Sequence, residues 1–155
     1  MKSKIKLILS QICLLFLLFL SSCNRMEDTI TLIPEGYTGT VEIWFNQANG
    51  EQIEYENDKR IYRIPKNGIL NTQFSEQYGS NYPKFYYVNE LDNRTEIKML
   101  HVLSKTVLDS IDKNKIYAYK FMLPGGGFKI DSLGNETILE PGIIFTVDYP
   151  TFENN

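Results

Sequence analysis

The side chains that could carry out chemistry are few and far apart. His101 is the only histidine. In "KMLHVLS" it shares an alternating row with Ile97, Met99 and Leu103, as a core or edge residue of a strand would. A general base needs a nucleophile and an orienting partner within hydrogen-bond reach, and no spacing nominates that trio. "LPGGGF" (123–128) has the glycines of a phosphate loop. It lacks the following Lys-Ser/Thr and the helix whose amides would hold the anion, so it reads as a turn between strands. Asp109, Asp112 and Asn114 in "DSIDKNK" are oxygen donors without calcium-loop spacing or its closing glutamate. "ENDK" (56–59) is a turn before it is a cation site. No catalytic residue, metal site or cofactor is expected.

Cys23 is different, because its surroundings form a pattern. The chain opens with Lys2, Lys4 and Lys6 and no acid, and continues in an almost wholly apolar run from Leu7 to Leu20. That is the layout of a secretory signal, and the run falls short of the roughly 20 residues that span a bilayer. Leu20-Ser21-Ser22-Cys23 then resembles a bacterial lipobox. The resemblance implies cleavage before Cys23 and a diacylglycerol thioether on its sulfur, a role that suits a thiolate nucleophile. Two or more acyl chains, at about 0.8 kcal/mol per buried methylene, attach a protein stably without spanning the membrane. Asn24 in place of aspartate after the cysteine points to an outer membrane, where the familiar sorting habit applies.

Removing residues 1–22 leaves 133 residues with 19 acidic and 13 basic side chains. The negative balance argues against nucleic acid and against electrostatic attachment to anionic lipid. Cys13 leaves with the signal and Cys23 is acylated, so no thiol remains for a disulfide or a zinc cluster. An ordinary hydrophobic core must stabilise the domain, and a chain of this length can bury one. The sequence divides into a signal peptide (1–22), a lipidated tether (23–28), one domain (29–151) and a tail (152–155).

The elements that would position any site are strands. Val41, Ile43 and Phe45 alternate with Glu42 and Trp44, and Asn49-Gly50 follows as a hairpin signal. Ile53 and Tyr55 alternate next, and "ENDK" turns the chain. Tyr62 and Ile64 share a row with Arg60, with Arg63 opposite. Asn67-Gly68 marks another turn, and Leu70, Thr72 and Phe74 alternate after it. "KFYYV" (84–88), "EIKMLHVL" (96–103), "IYAYKFML" (116–123) and "GIIFTVDY" (142–149) continue the habit. The only helical spacing lies in 104–115, at Val107, Leu108 and Ile111. Many short strands and scarcely a helix predict an all-β antiparallel sandwich. Trp44 then faces outward, and with Tyr86 it is the candidate face for a protein or glycan partner.

"IPEGYTG" (33–39), "EYENDKRIYRIPKNGILNTQF" (54–74) and "FYYV" (85–88) resemble a family of small bacterial proteins catalogued as a domain of unknown function, number 6843. The order of glycine, strand, turn and "YRIP-NG" is also similar to transthyretin-like and carboxypeptidase-regulatory sandwiches, which speaks to fold alone. Neither resemblance implies an activity or a site residue. Asp28-Thr29-Ile30, Asp109-Ser110-Ile111 and Asp131-Ser132-Leu133 resemble envelope O-glycosylation acceptors. Asn93-Arg94-Thr95 and Asn135-Glu136-Thr137 match the Asn-linked sequon. Both sets are expected to be exposed. The expectation is thus a non-catalytic envelope lipoprotein that binds or scaffolds another component. A hydrolase with convergent carboxylates, or with His101 and an acid, is the contrasting reading. An immunity-type inhibitor with one acidic patch is the third.

Overall fold

The computed structural model describes residues 26–77, 82–101, 104–124, 127–130 and 136–150. Its elements are strands β1 (Thr29–Pro34), β2 (Gly39–Trp44), β3 (Tyr55–Glu56), β4 (Lys59–Arg63), β5 (Ile69–Asn71), β6 (Lys84–Val88) and β7 (Arg94–Met99). Helix α1 (Lys105–Ser110) follows, then β8 (Tyr117–Met122), β9 (Gly127–Ile130), β10 (Glu136–Leu139) and β11 (Gly142–Asp148). Nine strands form one sheet in the order β3-β4-β1-β6-β7-β8-β11-β2-β5, and β9 and β10 pair as a separate hairpin. The sheet curls into a half-barrel around a core that includes Ile33, Val41, Ile43, Phe85, Phe145 and Val147.

The all-β expectation holds, whereas the antiparallel sandwich does not describe this sheet. β1 is parallel to both β4 and β6, β7 to β8, and β2 to β5. Alternation records which face of a strand is buried and is the same beside a parallel or an antiparallel neighbour, so it could not choose between them. β1 alternates in residue type, Thr29-Ile30-Thr31-Leu32, but not in burial, because Thr29 to Ile33 are all buried. Ile33 joins the main core, and Ile30 and Leu32 join Ile61 in a second cluster under Tyr86 and Val88. A strand covered on both faces, as central parallel strands are, has no wet side for its alternation to mark.

Turn chemistry was more legible. Asn57 and Asp58, with φ of 49° and 61°, make the two-residue β3–β4 turn that needs positive φ at both positions. Asn49-Gly50, by contrast, starts no hairpin, since β2 pairs with β11 and β5 instead. Ile53 and Tyr55, whose alternation marks a strand row, are about half exposed. The helical stretch is shorter than 104–115: Ser104 caps α1, and Ile111 is already extended. Both sheet edges, β3 and β5, are only two and three residues long, which limits open pairing.

β8 contains the main irregularity. Ile144 pairs with Met122 and Thr146 with Tyr119, so one residue of β11 faces two of β8. Lys120 sits in that bulge with φ of 56°. Ala118 points into the core, and simple alternation would send Lys120 and Met122 after it. The extra residue switches the parity, so Phe121 packs on the core while Lys120 and Met122 are exposed. Bulges re-aim side chains in this way.

Candidate functional site

Strand direction gathers one set of strand ends at one pole. β1, β4, β6 and β11 run one way and β2, β7 and β8 the other. The starts of the first group therefore meet the finishes of the second, and between them opens a cavity of about 340 Å³. That size falls within the roughly 300–1,000 Å³ of small-molecule sites. One wall is a trio of rings: Phe85 lies 5.2 Å from Phe145 and 5.5 Å from Phe121, and Phe121 stacks on Phe145 at 5.2 Å. Ile43, Phe45 and Tyr62 also line it, with Phe45 and Tyr62 5.9 Å apart. Met26, Pro83, Met99, Leu123 and Pro141 contribute further apolar surface, and Thr29, Thr31, Glu76 and Gln77 supply polar groups. The β8 bulge is what turns Phe121 to this wall.

Beside the cavity, an ion pair pins the incoming chain. Arg60 is almost fully buried although it lies on the core row of β4. Burying a guanidinium is costly unless it is paired and hydrogen-bonded, and here it is both. Its Nε donates to Glu27 at 2.5 Å, its NH1 group donates to the Ser75 carbonyl at 2.5 Å, and its Cζ stands 4.7 Å over the Phe74 ring. The Glu27 carboxylate also accepts from Gln77 Nε2 at 2.7 Å and from the Tyr55 hydroxyl at 3.2 Å, while the Glu27 amide donates to Gln77 Oε1 at 3.1 Å. The Arg60 hydrogen bond holds the Glu27 carboxyl below the usual carboxylate range. Burial pushes the Tyr62 phenol up. Residues 27 and 28, expected to belong to a loose tether, are therefore built into the domain. The Asp28 carbonyl also accepts from the Arg60 amide.

Over residues 25–123 the sequence matches the family described as "Family of unknown function (DUF6843)". The chain belongs to DUF6843. The matched span contains the Glu27–Arg60 pair, the bulge and most of the cavity, and stops before the β9–β10 hairpin. Comparison with curated proteins finds no match. Among solved structures the DUF6843 chain is similar to a Bacillus anthracis protein described as a "Putative Lipoprotein". The TM-score is 0.51 at 20% identity, over 81% of this chain and 73% of that one. At that identity the likeness concerns the fold.

The residues singled out from sequence are dispersed over the DUF6843 fold. Cys23 lies outside the described residues, as do Gly125, Gly126, Asp131, Ser132, Leu133 and Asn135. Trp44 is on the outer face of β2, half-buried, where its ring crosses Gly142 of β11 and its Nε1 donates to Glu42 at 3.1 Å. Tyr86 packs over Ile30, Leu32 and Ile61 on β6. Three strands separate β6 from β2, so the two aromatics do not share a patch. His101 is exposed just beyond β7. Asp109 and Asp112 pair with Lys113 and Lys115 at 3.7 Å and 3.6 Å, and among the described residues no acidic or histidine cluster could hold a metal. Ser110 and Asn93 are exposed as expected, but Thr29 is buried as the inward first residue of β1.

Sequence reasoning missed the cavity as a site. Phe45 and Phe145 were legible as members of apolar rows, yet no pattern says that a core stays open at one end. Glu27 had a signal in retrospect: Arg60 on a core row demanded an acidic partner.

Proposed function

We propose that the mature DUF6843 chain is a lipid-tethered binding domain of the bacterial cell envelope, attached through acylated Cys23 and without a catalytic role. The observation that carries the binding reading is the apolar cavity at the pole where the chain enters the fold. Glu76 is the one carboxylate among its described lining residues. Rings, aliphatic side chains and a single acid make a container for an apolar group rather than a pair for proton transfer. The tether rests on the basic start, the apolar run and the Leu20-Ser21-Ser22-Cys23 box. In a host with two membranes, Asn24 favours the outer one. The half-buried Trp44 remains the candidate contact for an envelope protein or glycan.

The test is metabolic labelling of growing cells with an alkyne analogue of palmitate, comparing the native chain with Cys23→Ser. Label on the native chain and none on the variant is the expected result. Equal labelling of both would contradict the proposal.

A further inference from the structure

We infer that the cavity is a binding site for a single aliphatic chain of a membrane lipid, admitted from the bilayer through the mouth beside Met26. The inference deepens the reading above and rests on it for the orientation. Met26 lines the cavity, and Glu27 beside it is fixed by Arg60 and Gln77. Met26 is three residue steps from Cys23, a reach of at most about 11 Å at roughly 3.3–3.6 Å per residue. A thioether lipid at Cys23 therefore holds this pole, and not the opposite one, against the membrane.

The chemistry of the mouth fits that position. Leu123 lines it while remaining 74% exposed, and neighbouring Met122 is 59% exposed. Apolar groups left in water at a cavity entrance gain by contact with a bilayer interface. Inside, the ring wall and Ile43 offer dispersion contacts and no described positive charge, so the site grips the chain and leaves the polar head at the surface. Glu76, half-buried in the lining, disfavours an anionic head, so the occupant is the chain of an uncharged lipid. At about 340 Å³ the cavity lies at the small end of small-molecule sites, the scale of one chain.

The test uses the mature chain from Cys23 onward, unacylated in solution and acylated in phosphatidylcholine vesicles. The described fold is built from residues 26–150 and does not include the signal. N-phenyl-1-naphthylamine, a neutral probe, is titrated and then displaced with monododecanoylglycerol. Saturable one-to-one binding and displacement are expected for the solution form. Met99→Trp, which fills the cavity, and Leu123→Glu, which changes only an exposed rim residue, should each weaken binding about tenfold or more, with the circular dichroism spectrum retained. The acylated form should bind as well. Absence of saturable binding, or undiminished affinity in both variants, would overturn the inference. Binding by the unacylated form alone would overturn it too, and would assign the cavity to the protein's own acyl chain. The solution titration does not depend on Cys23 acylation, so failure of the site and failure of the tether read out separately.

Discussion

Replacing Glu27 with alanine isolates the contact that ties the chain's entry to the fold. The Arg60 side chain is 7% exposed and that of Glu27 37%, so the substitution strands a buried cation beside a partner site that water can partly reach. Removing one partner of a fully buried pair costs about 3–5 kcal/mol, and a hydrogen bond to a charged group contributes about 1.5–3 kcal/mol. Water reaching the carboxylate side screens part of this, while the Ser75 carbonyl and the Phe74 ring still hold Arg60. The expected loss is about 2 kcal/mol, or roughly 8 °C in Tm for a domain of this size. Urea unfolding followed through Trp44, the only tryptophan, reads it directly. The pH dependence has a definite sign. Pairing lowers the folded-state pKa of Glu27 below its unfolded value, so its contribution is complete above about pH 4.5 and is lost as pH falls through the folded pKa. The gap between wild type and variant should therefore close in acid, and Glu27→Gln should show a smaller loss that closes over the same range, because it is the wild-type carboxyl that titrates. A cost below about 0.5 kcal/mol at pH 7, or an equal gap at pH 7 and pH 3, would refute the reasoning.

Three further substitutions follow from backbone geometry. Lys120→Gly should raise stability by about 0.5–1 kcal/mol, because the bulge holds a lysine at positive φ where glycine is unstrained; a loss in thermal unfolding would contradict this. Gly68→Ala should cost about 2–3 kcal/mol, since a Cβ at φ of 80° would also overlap the Tyr37 hydroxyl and the Thr40 carbonyl. Gly142→Ala should displace the Trp44 ring, which a Cβ would approach to 2.8 Å. A shifted Trp44 emission maximum with a loss of about 1–2 kcal/mol is expected.

The inward rows were readable wherever a strand has one wet face. Val41-Ile43-Phe45 and Leu70-Thr72-Phe74 are buried as their alternation indicated, whereas of the row Ile143, Phe145, Val147 and Tyr149 the middle two are buried, Ile143 is half-buried and Tyr149 is exposed. β1 was missed although Thr29-Ile30-Thr31-Leu32 alternates in residue type; packed on both sides, it buries both threonines, which the pattern would have left in water. The parallel pairs, β1 with β4 and β6, β7 with β8 and β2 with β5, could not be inferred from alternation, which is the same beside either kind of neighbour. The inward turn of Phe121 could not be read from the strand's parity, because a bulge with lysine at its apex leaves no glycine to announce it. The cavity depends on how far opposing strands curl apart, a property of the assembled sheet that no local pattern carries. Arg60 was the exception, a charge on a core row whose partner could have been sought among the acids. Its partner proved to be Glu27, in the segment read as a tether.

The account depends most on the state of Cys23, since the tether sets which pole of the half-barrel meets the bilayer. Mass spectrometry of the N-terminal peptide from native protein extracted from membranes measures that state directly. The account predicts a chain starting at Cys23 with a diacylglyceryl thioether. An unmodified thiol at that position, or a chain still carrying Met1, would contradict it.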